Sequence, residues 1–122
     1  MMKGIDYLKE FLRKEGFRFE EEERFIDFKV QGVTYIAFKN DSSFLQILCL
    51  CKLPDRFDRT KALELCNDIN GDKFVVKLTI NGDKLWCSWE FEPSSLTTSE
   101  DYMGIFTILD KVSDDFIAKL NE

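Results

Sequence analysis

A chain of 122 residues with 44% hydrophobic content and twelve phenylalanines has the length of one domain and can fill a core without disulfide or metal staples. Its formal net charge of −6 disfavours nucleic acid phosphates and anionic membrane surfaces as partners. Histidine is absent, which removes the commonest general base and metal ligand, and with them serine triads and cysteine–histidine pairs within the chain.

Ile5, Leu8 and Leu12 recur at three-and-four spacing, with Tyr7 and Phe11 beside them, and predict an amphipathic helix over 5–12. Arg13 and Lys14 place positive charge in its last turn and Gly16 stops it. Charges interrupt every apolar run of this N-terminal segment, whereas a signal peptide needs an unbroken stretch of roughly 7–15 residues. No apolar run reaches the roughly 20 residues of a transmembrane helix. The expectation is one domain over residues 1–122, located in the cytoplasm, where Cys49, Cys51, Cys66 and Cys87 stay reduced and behave as small apolar side chains. Residues 17–23, with Glu20, Glu21, Glu22 and Glu23 in a row, read as a solvated lead-in.

Segments 24–30 and 33–39 are rich in β-branched and aromatic residues and flank Gln31-Gly32, which predicts a tight hairpin. A two-residue loop puts Val30 opposite Val33, Phe28 opposite Tyr35 and Ile26 opposite Ala37 on one side. Phe25, Asp27, Ile36 and Phe38 then share the other. After the polar turn at 40–43, segment 44–52 is apolar on both faces, as a strand in the middle of a sheet should be.

Leu53-Pro54 ends that strand, and Asp58 or Thr60 can cap a helix to about Asn70, with Ala62, Leu65, Cys66 and Ile69 on one face. A second hairpin, 74–80 and 84–91, turns at Asn81-Gly82. With those two residues as its loop, Phe74 lies opposite Trp89, Val76 opposite Cys87 and Leu78 opposite Leu85. On its reverse face Trp86 is the conspicuous apolar residue. A last helix starts near Ser99 and carries the stripe Ile105, Phe106, Leu109, Val112, Phe116 and Leu120. This order, α-β-β-β-α-β-β-α, predicts an α+β fold, a two-layer sandwich with an antiparallel sheet and the helices on one face. The helix-free face then carries Phe25, Ile36, Phe38 and Trp86, the candidate partner-binding or dimer surface, with one face of 44–52 between them.

Ala62-Leu63-Glu64-Leu65-Cys66-Asn67-Asp68-Ile69-Asn70, followed by Lys73-Phe74, Lys77 and the Asn81-Gly82 turn, resembles the YbjN-like family of small bacterial proteins. The order of elements over almost the whole chain is similar to the wider type III secretion chaperone-like fold. That resemblance implies a five-stranded antiparallel sheet, often in dimers. It also implies a role of the kind proposed for the family, sensory transduction regulation, or of the kind secretion chaperones have, binding an extended segment of an unfolded protein. It brings no catalytic residues. Asn67 and Asn70 match the family's asparagines, and a structural role suits them, because asparagine at a helix end can bond free backbone groups.

Other chemistry is weakly represented. Cys49-x-Cys51 is too closely spaced for a zinc knuckle, and alternation along a strand puts both thiols on one apolar face. The glycines form no GxGxxG or lysine-bearing phosphate loop, and the glutamate run lacks the spacing of a calcium loop. No cofactor or metal is expected. The expected function is a non-enzymatic protein-binding or regulatory module using the helix-free sheet face or an edge strand, toward a protein partner or its own second copy. The alternatives are a chaperone for an unfolded segment, or a small-ligand-binding protein or enzyme with Tyr35, Tyr102 and Lys77 in a pocket between helices and sheet.

Overall fold

The computed structural model describes residues 2–72 and 76–122. Its elements are α1 (Gly4–Glu15), β1 (Phe19–Glu21), β2 (Phe25–Val30), β3 (Val33–Phe38), β4 (Leu45–Lys52), α2 (Arg59–Asp72), β5 (Val76–Asn81), β6 (Lys84–Phe91) and α3 (Ser99–Leu120). All strand pairs are antiparallel, in one six-stranded sheet of order β1-β2-β3-β4-β6-β5.

Several helix ends lie where the sequence supplies a cap. Gly16 closes α1 in the left-handed region at φ 80°, and the Phe17 N–H reaches back to the Leu12 carbonyl at 2.8 Å. The start of α1 sits against the 42–44 turn. The Gly4 N–H donates to the Ser42 carbonyl at 3.0 Å, and a Cβ on Gly4 would overlap the backbone carbonyl of Phe44. Asp58, rather than Thr60, caps α2, its carboxylate accepting from the Lys61 N–H at 3.2 Å. Thr98 and Asp101 form a reciprocal capping box at the start of α3, with bonds of 3.1 and 2.9 Å.

The first hairpin has the expected register, Val30 opposite Val33 and Phe28 opposite Tyr35. Gln31 and Gly32, at φ 52° and 80°, give the two positive dihedrals of a type I′ turn. The second hairpin differs by one rung. Asn81 pairs with Lys84, so the loop is Gly82-Asp83 rather than Asn81-Gly82, and Val76 lies opposite Trp89, Leu78 opposite Cys87 and Ile80 opposite Leu85. Only Gly82 takes a positive φ, 62°, at the first loop position, the demand of a type II′ turn, which leaves Asn81 free to continue the strand. Because the slip is two residues, every described side chain keeps its face. Phe74, expected opposite Trp89, lies outside the described residues.

A second difference is β1. The resemblance implied five strands, and residues 17–23 were expected to be a lead-in, but Phe19–Glu21 pairs with β2 as a sixth strand. Two interactions hold it. Phe19 packs against the core under the Arg13 guanidinium, 5.4 Å from its ring centroid, and Glu21 is bridged by Lys9 of α1 and by Lys39 at 3.1 Å. The bonds from Lys9 and then Lys39 hold the Glu21 carboxyl below its ordinary pKa. The acidic run therefore does not simply repel itself, since one of its members has two cationic partners.

The core is formed by one face of the sheet together with residues of all three helices. Ile26, Phe28, Tyr35, Ala37, Ile47, Cys49, Leu85 and Cys87 alternate along the strands, and Leu8, Phe11, Leu12, Ala62, Cys66, Phe106, Leu109 and Phe116 meet them. Aromatic rings tie α3 to α1 and to the sheet: Phe11 stacks on Tyr102 at 4.4 Å, and Phe106 lies 4.9 Å from Tyr35 and 5.6 Å from Phe28. The Tyr35 hydroxyl donates to the Phe106 carbonyl at 2.9 Å, and burial raises its pKa. Tyr35→Phe should cost about 1 kcal/mol in urea unfolding, since one hydrogen bond is lost without a cavity, whereas Phe106→Ala should cost about 3–5 kcal/mol. Equal losses would contradict this division between bond and packing.

Cys49 and Cys87 face each other across β4 and β6. Burial, only partly offset by the Ser113 hydroxyl, pushes the Cys49 thiol up to about 11 and the Cys87 thiol up to about 12, from 9.0. Both thiols stay protonated in the fold while the unfolded chain ionises first, so their contribution is fully present below about pH 9 and is lost as pH rises toward about 12. Unfolding free energy measured against pH should fall through that window under reducing conditions. The slope should flatten in Cys49→Ala with Cys87→Ala, and an unchanged slope would assign the loss to other groups.

Candidate functional site

The second face of the sheet is set by the same registers. Phe25 lies opposite Phe38, Asp27 opposite Ile36, Ile36 opposite Leu48 and Leu50 opposite Trp86. Phe25, Ile36, Phe38 and Trp86, read separately from two hairpins, thus share one surface, joined through Leu48 and Leu50 of β4. None of these six residues belongs to the core cluster or packs against it. The sheet separates them from it.

Leu48 is the centre of this surface. It is only 2% exposed, although its face is the one away from the core. Its lateral neighbours are Ile36 and Ser88, and Phe38 and Trp86 stand at opposite diagonals. The Phe38 and Trp86 ring centroids are 6.3 Å apart, a separation that two residues on β3 and β6 reach only by leaning toward each other across β4. The two rings therefore roof Leu48, and Phe25, Ile36, Leu50 and the rings themselves remain partly exposed. Asp27, half-buried and opposite Ile36, lies within this patch, and further charges surround it. Lys29, Lys52 and Lys84 are exposed toward one end of the strands, and Glu90 toward the other.

Among the described residues, neither α1 nor β1 lies on this face. The buried side chains of α1 are in the core, and β1 extends the sheet at its edge instead of folding over it. Alternation in the sequence placed the four aromatic and aliphatic residues; Leu48 and Leu50 could be placed only as one face of 44–52, because the partner strand of β4 on its β6 side was not legible.

The polar residues considered for a pocket do not converge. Tyr35 is engaged by Phe106 in the core, and Lys77 is exposed on β5. Tyr102 is buried, and that burial, followed by the charge of Glu10, pushes its hydroxyl up to about 12. It borders an open cavity of about 360 Å3 between α1 and the 94–99 turn, with Tyr7, Glu10 and Lys14. No disulfide joins the cysteines in this structure, and among the described residues no three cysteines or carboxylates are grouped to hold a metal ion. Among these residues also, no helix is long and apolar enough to cross a membrane.

The two asparagines at the end of α2 part company. Asn67 is exposed. Asn70 turns its carboxamide to β5, where Oδ1 accepts from the Leu78 N–H at 2.7 Å and Nδ2 donates to the Leu78 carbonyl at 3.0 Å. The backbone groups it satisfies belong to the outermost strand rather than to its own helix.

No family model matches the chain, and no curated protein matches it. Among solved structures it is similar to YbjN, a proposed transcription regulator from E. coli, with a TM-score of 0.62 and 18% identity over 96% of this chain and 90% of that one. At that identity the likeness is one of fold. The chain has a YbjN-like fold.

Proposed function

We propose that the chain is a non-enzymatic protein-binding module of regulatory type, and that Phe25, Ile36, Phe38, Leu50 and Trp86 form the surface that receives another protein or a second copy. The observation that carries this reading is a contiguous apolar cluster on the sheet face opposite the core, centred on a fully buried leucine and left without a helix over it. Aromatic side chains at such a place bury much area with few rotors to freeze, and a polar frame of lysines and Glu90 can fix orientation. The structural neighbour is described as a proposed transcription regulator. For a chain of net charge −6, protein contact is the better physical route to regulation than phosphate contact.

The substitution pair Phe38→Lys with Trp86→Lys places two charges on the surface while leaving the core face intact. Affinity capture from a lysate of the source organism, with native mass measured on each eluate, should recover a defined partner or a self-complex with the wild-type chain and lose it with the variant. The variant should still unfold cooperatively and keep its far-ultraviolet circular dichroism. Capture and mass unchanged by the two lysines would remove this surface from consideration.

A further inference from the structure

We propose that Asn70, at the end of the helix that packs along β5, is a guard on the outer edge of that strand, and that what it keeps off is the β5 strand of a second copy of this chain. The proposal is independent of the outer-face reading.

β5 is the last strand of the sheet. Because Asn81 and Lys84 flank a two-residue loop, Asn81, Thr79 and Lys77 direct their backbone groups to β6, and Ile80, Leu78 and Val76 direct theirs away from it. The Asn70 bonds agree with this alternation, since they take both the N–H and the carbonyl of Leu78, in the middle of the outward row. A carboxamide offers the same acceptor and donor as a peptide group. Asn70 thus fills one rung of the ladder that a neighbouring strand would otherwise fill.

The opposite edge has different protection. β1 has three residues, with exposed Glu20 at its middle, and a short acidic strand is a poor template for pairing. β5 is twice as long, six residues, and contains no proline. It is also self-complementary about Leu78. An antiparallel pair of copies would set Leu78 against Leu78, Val76 against Ile80 and Lys77 against Thr79. Apolar residues meet on the core side, no like charges face each other on the outer side, and the two-fold operation closes the assembly at two chains. The central rung of that pair uses the two Leu78 groups that Asn70 holds, so the guard and the second strand exclude each other.

The test is the mass in solution of Asn70→Ala, measured by light scattering over a range of concentrations beside the wild type. The expected result is a folded protein whose mass rises by about a factor of two over the wild type. Adding Ile80→Pro, which deletes an outward donor but no bond to β6, should return it to the wild-type mass. That change does not touch the outer sheet face, so association through β5 is told apart from association through Phe38 and Trp86. A folded Asn70→Ala at wild-type mass, or a rise that Ile80→Pro leaves in place, would overturn the proposal. Asn70→Asp keeps the acceptor for the Leu78 N–H and loses the donor to its carbonyl, and serves if the alanine variant does not fold. Failure of both to fold would also overturn it, making Asn70 a requirement of the fold instead of a guard.

Discussion

β4 is paired on both sides, with β3 along one edge and β6 along the other, and it is the strand through which the two hairpins become one sheet. Its sequence is apolar at nearly every position, so it cannot rest at an edge or leave one face in water without penalty. On the core side Leu45, Ile47 and Cys49 are covered by the helices. On the other side no described helix arrives, and Leu48 and Leu50 must find cover from their neighbours. The rest of the architecture follows from meeting both demands with one strand.

The solution on the outer side is local. Phe38 and Trp86 close over Leu48 and bury it almost completely. They do so at the cost of presenting their own ring faces, and the flanking Phe25, Ile36 and Leu50 remain partly exposed. The cluster is therefore small and ordered before anything binds. A partner meeting it would find preformed geometry and would have few side chains to immobilise. The same rings contribute to the fold and to the proposed interface, so substitutions there need a folding control as well as a binding readout.

Much of this was legible in the sequence because alternation fixes the face of a strand residue without fixing its partner. The β5–β6 register was read one rung off, yet every described side chain of the hairpin was on the expected face, since a shift of two residues preserves parity. The four outer-face residues were legible for the same reason, and the core stripe of α3 from the 3.6-residue period of a helix. What failed was anything decided by tertiary charge or long-range pairing. β1 was invisible because a run of four glutamates reads as solvated until Lys9 and Lys39 are brought to Glu21 from elsewhere in the chain. The target of Asn70 was hidden in the same way. Its position at a helix end signals a bond to backbone, but only the packing of α2 along β5 says whose backbone.

The strand order also bears on how this chain reaches its fold. Both hairpins close over two-residue turns, so each can form from contacts close in sequence, on a timescale of roughly microseconds. The β4–β6 ladder is different: its nearest pair joins Lys52 to Lys84 and its farthest joins Leu45 to Phe91, with all of α2 and β5 in between. That union carries the largest loop-closure entropy among the strand pairings. The two halves of the sheet are each built from contacts local in sequence and are joined only along the β4–β6 ladder, the same ladder that sets Trp86 opposite Leu50, beside Leu48. The outer surface comes into existence only with the completed fold, and a partner that reads it reads folded chains alone.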